Sequence, residues 1–217
     1  QPVSLEPFFL SKYEMTQGQW IRLSGGDNPS SSKDQGPGFP VEQVNWFDCE
    51  ELLRHQGWLL PTELQWEYGC CAGTTTPWWC GATTESLKGK ENISIELMSV
   101  GSLAPNPFGL FDVCGNLSEW CLDEWSEYGT ERSRNDLRPQ GDGSFKTLRG
   151  GGLDADGTYA RWDFRLGITP TMAGHAIGAW LPQLEVTHYK PTPPWRELIA
   201  RADLHLVVSG TAMAARA

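Results

Sequence analysis

The chain has 217 residues, enough for one domain with a substantial core, a formal net charge of −10 and a pI near 4.8. That charge has little attraction for phosphate backbones, no Lys/Arg cluster carries interleaved aromatics, and no apolar run approaches the roughly 18–20 residues that span a bilayer, so nucleic acid and a membrane span are excluded. With 24 Gly, 15 Pro and 11 Trp, large aromatics must clamp irregular loops, which favours a loop-rich α+β fold over a helical bundle.

Residues 3–15, Val-Ser-Leu-Glu-Pro-Phe-Phe-Leu-Ser-Lys-Tyr-Glu-Met, alternate and then run apolar, as a strand pair packed on a core does. Thr16 starts a helix through a capping box with Gln19, with Met15 against Trp20 as its hydrophobic staple, and Gly25-Gly26 ends it. A polar loop follows from Asp27 to Pro40. Asn45 caps a second helix with Trp46, Cys49, Leu52 and Leu53 on one face, stopped at Gly57. Thr62 and Gln65 make another capping box, predicting a third helix over Glu63 to Cys71 in which Trp66 and Tyr68 flank Glu67.

After a polar loop from Gly81 to Gly101 comes Asn106-Pro-Phe-Gly-Leu-Phe-Asp-Val-Cys-Gly-Asn-Leu-Ser-Glu-Trp120. Asn106-Pro107 and Gly109 are turn formers, Leu110 to Val113 reads as a short buried strand, and Asp112, Gly115 and Glu119 offer hard oxygens around a tight bend. Lys146 to Arg149 reads as a strand entering Gly150-Gly151-Gly152, which lets backbone approach a neighbour closely. Residues 183–217 change character: a stiff proline segment from Tyr189 to Trp195, an amphipathic helix from Trp195 to Leu206, and a low-complexity, disordered end from Thr211.

Six cysteines without a C-x-x-C pair do not make a disulfide scaffold, and Cys49 and Cys121 sit among apolar neighbours as small core residues. A thiolate metal site from Cys70 or Cys71 with Cys80 and Cys114 is conceivable, but nothing in the spacing demands it.

Leu60-Pro-Thr-Glu-Leu-Gln-Trp-Glu-Tyr68, the Asn106 to Trp120 stretch and Leu148-Arg-Gly-Gly151 occur in the order found in the formylglycine-generating enzyme, or sulfatase-modifying factor, family. The resemblance covers about residues 3–178. Gly73-Thr-Thr-Thr-Pro-Trp-Trp79 is similar to bacterial members often joined to serine/threonine kinases. It implies a C-type-lectin-like α+β fold with few short helices and twisted antiparallel sheets, occupying residues 1–182, with 183–217 as a divergent tail. The compartment is left open by the sequence; the chain shows no signal or transmembrane segment, which favours a cytoplasmic location or a place in a larger bacterial protein.

Catalytic members bind copper(I) through two cysteines after the glycine block, since soft thiolates suit copper(I). Aligned on Arg149 to Gly152, those positions are Ala155 and Ala160, so copper is not expected. The resemblance therefore implies a non-catalytic ligand- or protein-binding module. The alternative is an oxidase of a cysteine or other thiol with a rearranged copper site, for example through Cys114 and Cys121. Calcium is the metal it implies, held by the Asp112 side chain, the Gly115 and Leu117 carbonyls and the Glu119 carboxylate; without it, Asp112 caps a turn and Glu119 accepts backbone N–H groups. A second family calcium site would begin at Asn92-Ile93, but the segment supplying its acidic partner is shortened. Two readings stand for Arg149, Arg161 and Arg165: anchors for a carboxylate-bearing ligand or peptide, or partners of this chain's own acids. Trp162 lines a binding surface in the first reading and is aromatic scaffolding in the second.

Overall fold

A computed structural model describes residues 2–5, 8–126, 144–153, 157–180, 204–207 and 211–213, of which 2–4, 204–207 and 211–213 by backbone alone. Three helices form where local signals place them: α1 (Gln17–Ser24), α2 (Trp46–His55) and α3 (Glu63–Cys71). Each N-terminus carries a reciprocal capping box: Thr16 with Gln19, Asn45 with Asp48, and Thr62 with Gln65. Each box satisfies amide donors that a helix start otherwise leaves open. Thr62 is buried, so water cannot replace its hydroxyl. Thr62→Ala is expected to cost about 1–2 kcal/mol, read as a lower urea midpoint at unchanged slope.

The strands are β1 (Pro2–Ser4), β2 (Phe8–Ser11), β3 (Ser118–Glu124), β4 (Lys146–Arg149), β5 (Leu166–Ile168), β6 (Ile177–Gly178), β7 (Leu204–Val207) and β8 (Thr211–Met213). A four-stranded sheet has the order β5-β4-β3-β6, with β4 antiparallel to both its neighbours and β6 parallel to β3. The sheet is therefore mixed rather than wholly antiparallel.

Three local expectations are corrected. The N-terminal strands do not pair with each other: β1 pairs β8 and β2 pairs β7, both antiparallel. Leu204–Val207 and Thr211–Met213 are consequently extended, not the end of a helix and a disordered terminus; residues 195–203 and 214–217 lie outside the described residues. Leu110 to Val113 is not a strand, because Asp112 has φ 57 and the segment bonds to loops, with Phe111 N donating to the Lys12 carbonyl at 3.0 Å. A left-handed residue breaks the alternation that a ladder needs.

The sheet separates two cores. Trp120 on β3 and Leu148 on β4 face a cluster with Met15, Trp20, Val44, Trp46 and Leu53. Cys121, one residue along β3, faces the other cluster with Phe8, Leu10, Trp66, Leu110 and Trp180. Indole N–H groups tie the layers together: Trp46 Nε1 donates to the Cys121 carbonyl at 2.9 Å and Trp120 Nε1 to the Val44 carbonyl at 3.1 Å. The aromatic-clamp expectation drawn from composition is thus realised.

Candidate functional site: a buried acidic cluster beside the glycine triplet

The bend from Asp112 to Glu119 sits between β3 and three loops. Asn116, with φ 60 and no exposed surface, organises it. Its Oδ1 accepts from Asn92 Nδ2 at 2.9 Å and from Met98 N at 3.0 Å, while its Nδ2 donates to Glu14 Oε2 at 2.6 Å. Leu117 N donates to the other Glu14 oxygen at 2.9 Å. Gly115 has φ 126, and a Cβ there would meet the Asn92 carbonyl at 2.2 Å, so only glycine fits.

Four carboxyl groups gather in and around this bend with almost no exposed surface: Glu14, Glu91, Asp112 and Glu119. Asp112 accepts from Gly101 N at 2.7 Å, and Glu91 Oε1 accepts from Trp79 Nε1. Both Glu119 oxygens and Glu91 Oε2 are buried without a hydrogen-bond partner. Glu119 presses against Gly150, where a Cβ would lie 2.1 Å from Oε2. Burial raises the pKa of all four carboxyl groups. Glu91 is pushed up to about 8 and Asp112 to about 6, chiefly by desolvation. Glu14 is raised well above the carboxylate range by burial and then by the Asp112 charge, and Glu119 by burial and then by Glu14. Glu14 thereby links the two expected calcium-binding carboxylates electrostatically.

Buried carboxylates with orphaned oxygens are the environment that a hard cation relieves. Among the described residues, no three His, Cys, Asp or Glu side chains converge on one point to hold a metal by themselves. A cation between Asp112 and Glu119 thus needs backbone carbonyls, for which Gly115 and Leu117 in the same bend are the candidates. Glu14, Glu91 and Asn116 escape sequence reasoning. The one available signal for Glu14 is a carboxylate set between the large apolar side chains of Tyr13 and Met15.

The arginines lie elsewhere. Arg149, fully buried, donates from Nη2 to Glu67 Oε2 at 2.5 Å and from Nη1 to the Phe164 carbonyl at 2.6 Å, with its guanidinium 5.1 Å from the Trp66 ring centroid. Its Nε is 3.5 Å from Glu63 Oε1. Arg165 grips the same Glu63 with both Nε and Nη2, the latter at 2.7 Å. Arg161 is apart from them, paired with Asp163 at the surface, and Trp162 Nε1 donates to the Thr76 carbonyl at 2.6 Å. Arg149 and Arg165 are thus brought together at Glu63, Arg161 is not, and all three make ion pairs within the chain.

Of the two alanines, Ala160 is buried in the second core with its N 2.8 Å from where a Gly151 Cβ would stand; Ala155 lies outside the described residues. The sulfur next to Cys114 is that of Cys70, at 3.7 Å. Next to the triplet, Leu153 borders an open cavity of about 380 Å³ also lined by Glu42, His175, Ser31 and Ser32. Glu42 accepts there from Ser32 N and Oγ, both at 2.8 Å, and from Ser31 Oγ at 3.0 Å.

Residues 1–181 match the sulfatase-modifying factor enzyme 1-like domain. The chain belongs to this family. As a sulfatase-modifying-factor domain it is 28% identical to a formylglycine-generating enzyme of Thermomonospora curvata, covering 64% of this chain and 54% of that protein. It is 35% identical to the serine/threonine-protein kinase pkn1 of Chlamydia caviae, over 69% of this chain and 28% of the kinase. The domain therefore spans about half or less of the length of these two relatives. Among solved structures, Treponema denticola variable protein 1 superposes with a TM-score of 0.73 at 23% identity, over 82% of this chain and 84% of that one, which establishes a shared fold. The loop-rich α+β architecture is thus that of the formylglycine-generating-enzyme type. No helix among the described residues is long and apolar enough to cross a membrane.

Proposed function

We propose that this sulfatase-modifying-factor domain is a non-catalytic ligand- or protein-binding module whose Asp112–Glu119 bend holds a structural calcium ion. The observation that carries the first half is alanine at Ala155 and Ala160, where catalytic relatives place copper-binding cysteines. Ala160 is buried as a methyl group in the core, so no thiolate from that position faces a groove. The donor set does not fit copper(I), which prefers soft sulfur. The competing reading, an oxidase of a thiol substrate, needs a copper site from other cysteines. Cys114 and Cys121 are both buried, and burial holds their thiols well above the usual range and hence protonated.

For calcium, the residues fit. Asp112 and Glu119 would supply carboxylates, Gly115 and Leu117 carbonyls, and a bound cation would take up the Glu119 oxygens that are buried without a hydrogen-bond partner. Calcium would contribute rigidity of the bend rather than chemistry.

The test of the non-catalytic reading is titration with copper(I) against a competing chelator, followed by oxygen uptake with a cysteine peptide. The expected result is no stoichiometric copper and no peptide-dependent uptake. Tight one-to-one copper together with turnover would establish the oxidase instead.

A further inference from the structure

We propose that Cys70 and Cys114 are a redox modification site that a disulfide donor joins into a bond between α3 and the Asp112–Glu119 bend. Their sulfurs lie 3.7 Å apart, although the residues are 44 positions apart in the chain. Cys70 Sγ also donates to the Val113 carbonyl at 3.4 Å, which fixes its rotamer toward Cys114. The backbone holds this approach from both sides: Asn106 Nδ2 donates to the Gly69 carbonyl at 2.8 Å, docking the turn that opens this stretch onto α3. At Gly69, a Cβ would lie 2.8 Å from Leu10 and 3.1 Å from Leu110, so a glycine lets the stretch close onto α3.

Three of the other four cysteines are differently placed. Cys49 belongs to the first core, Cys121 lies in the second core on β3, and Cys80 has the Ser86 hydroxyl as its sulfur's hydrogen-bond partner at 3.7 Å. The reaction is an exchange. Two thiols lose their protons and form one S–S bond, while one molecule of oxidised glutathione accepts the two electrons and leaves as two molecules of glutathione. Because both sulfurs are buried, the exchange takes place on the open or folding chain rather than on the folded domain.

The experiment is refolding of the full chain from denaturant with oxidised or with reduced glutathione. After the oxidised arm, four of the six thiols are expected to alkylate under denaturing conditions. Trypsin should then leave the peptide carrying Cys70, Cys71 and Cys80 joined to that carrying Cys114 and Cys121. Cys71→Ser, Cys80→Ser and Cys121→Ser should keep the join, and Cys70→Ser and Cys114→Ser should lose it. The oxidised domain should melt roughly 5–10 °C higher than the reduced one, a shift that dithiothreitol abolishes. Six free thiols in a refolded oxidised sample, or a join that depends on Cys71, Cys80 or Cys121, would overturn the assignment. If a serine variant does not fold, fragmentation of the joined wild-type peptides in a mass spectrometer decides whether the bond lies on Cys70 and Cys114 or on another pair.

Discussion

Arg149→Met is expected to destabilise the domain by about 3–5 kcal/mol, a large share of the roughly 5–15 kcal/mol that holds a domain folded. The size follows from what is left behind. Arg149 is fully buried and reaches Glu67, Glu63 and the Phe164 carbonyl while lying over Trp66. Removing it strands Glu67 in the interior without this cation, whereas Glu63 keeps Arg165. Arg149→Lys is expected to recover only part of the loss, because an ammonium cannot reproduce the planar fork that serves a carboxylate and a carbonyl at once. The double variant Arg149→Met/Glu67→Met should be more stable than Arg149→Met alone, since it removes the buried carboxylate along with Arg149. Urea midpoints of the four proteins measure this, and a loss below about 1 kcal/mol for Arg149→Met would show that the network is not buried as described.

The second large effect is an inverted pH dependence. Glu91, at about 8, and Asp112, at about 6, hold protons in the folded state that an unfolded carboxyl near 4.5 or 3.8 has released. Between pH 5 and 8 the folded chain therefore binds more protons than the unfolded one, and stability falls as pH rises. Glu91 by itself accounts for a loss on the order of 3–5 kcal/mol by pH 8. Glu14 and Glu119 are shifted in the same direction and add to it. The calcium-free domain should accordingly melt at a higher temperature at pH 5.5 than at pH 8.

If calcium occupies the bend, millimolar calcium should raise the melting temperature at pH 8 and flatten the profile, because the ion takes over from the protons. Glu119→Gln should raise the calcium-free melting temperature at pH 8 and lose the calcium response. A calcium-free profile that rises from pH 5 to 8 would refute the burial of these acids without a neutralising cation. A calcium-insensitive wild type would remove the ion from the bend.

The helices were legible because their signals are local. Thr16 with Gln19 and Thr62 with Gln65 are three residues apart, so the capping boxes can be read directly off the chain. Family membership was legible for a related reason: Leu60 to Tyr68, Asn106 to Trp120 and Leu148 to Gly151 are continuous stretches whose order survives without any fold. The misread segments mark the limit. Leu110 to Val113 has a strand's composition, but Asp112 adopts a left-handed backbone to bond Gly101, and Leu204–Val207 takes β geometry from its partner Phe8–Ser11. Extended structure is decided by the strand alongside, not by the segment itself.

The chain by itself determined the family, the α+β class and the capped helices. Tertiary structure alone decided which charges share a space. Glu14 meets Asn116 across 102 residues, Arg149 meets Glu67 across 82, and Cys70 meets Cys114 across 44. The physical reason is that charge interactions and desolvation depend on distance through the folded interior, which separation along the chain does not encode.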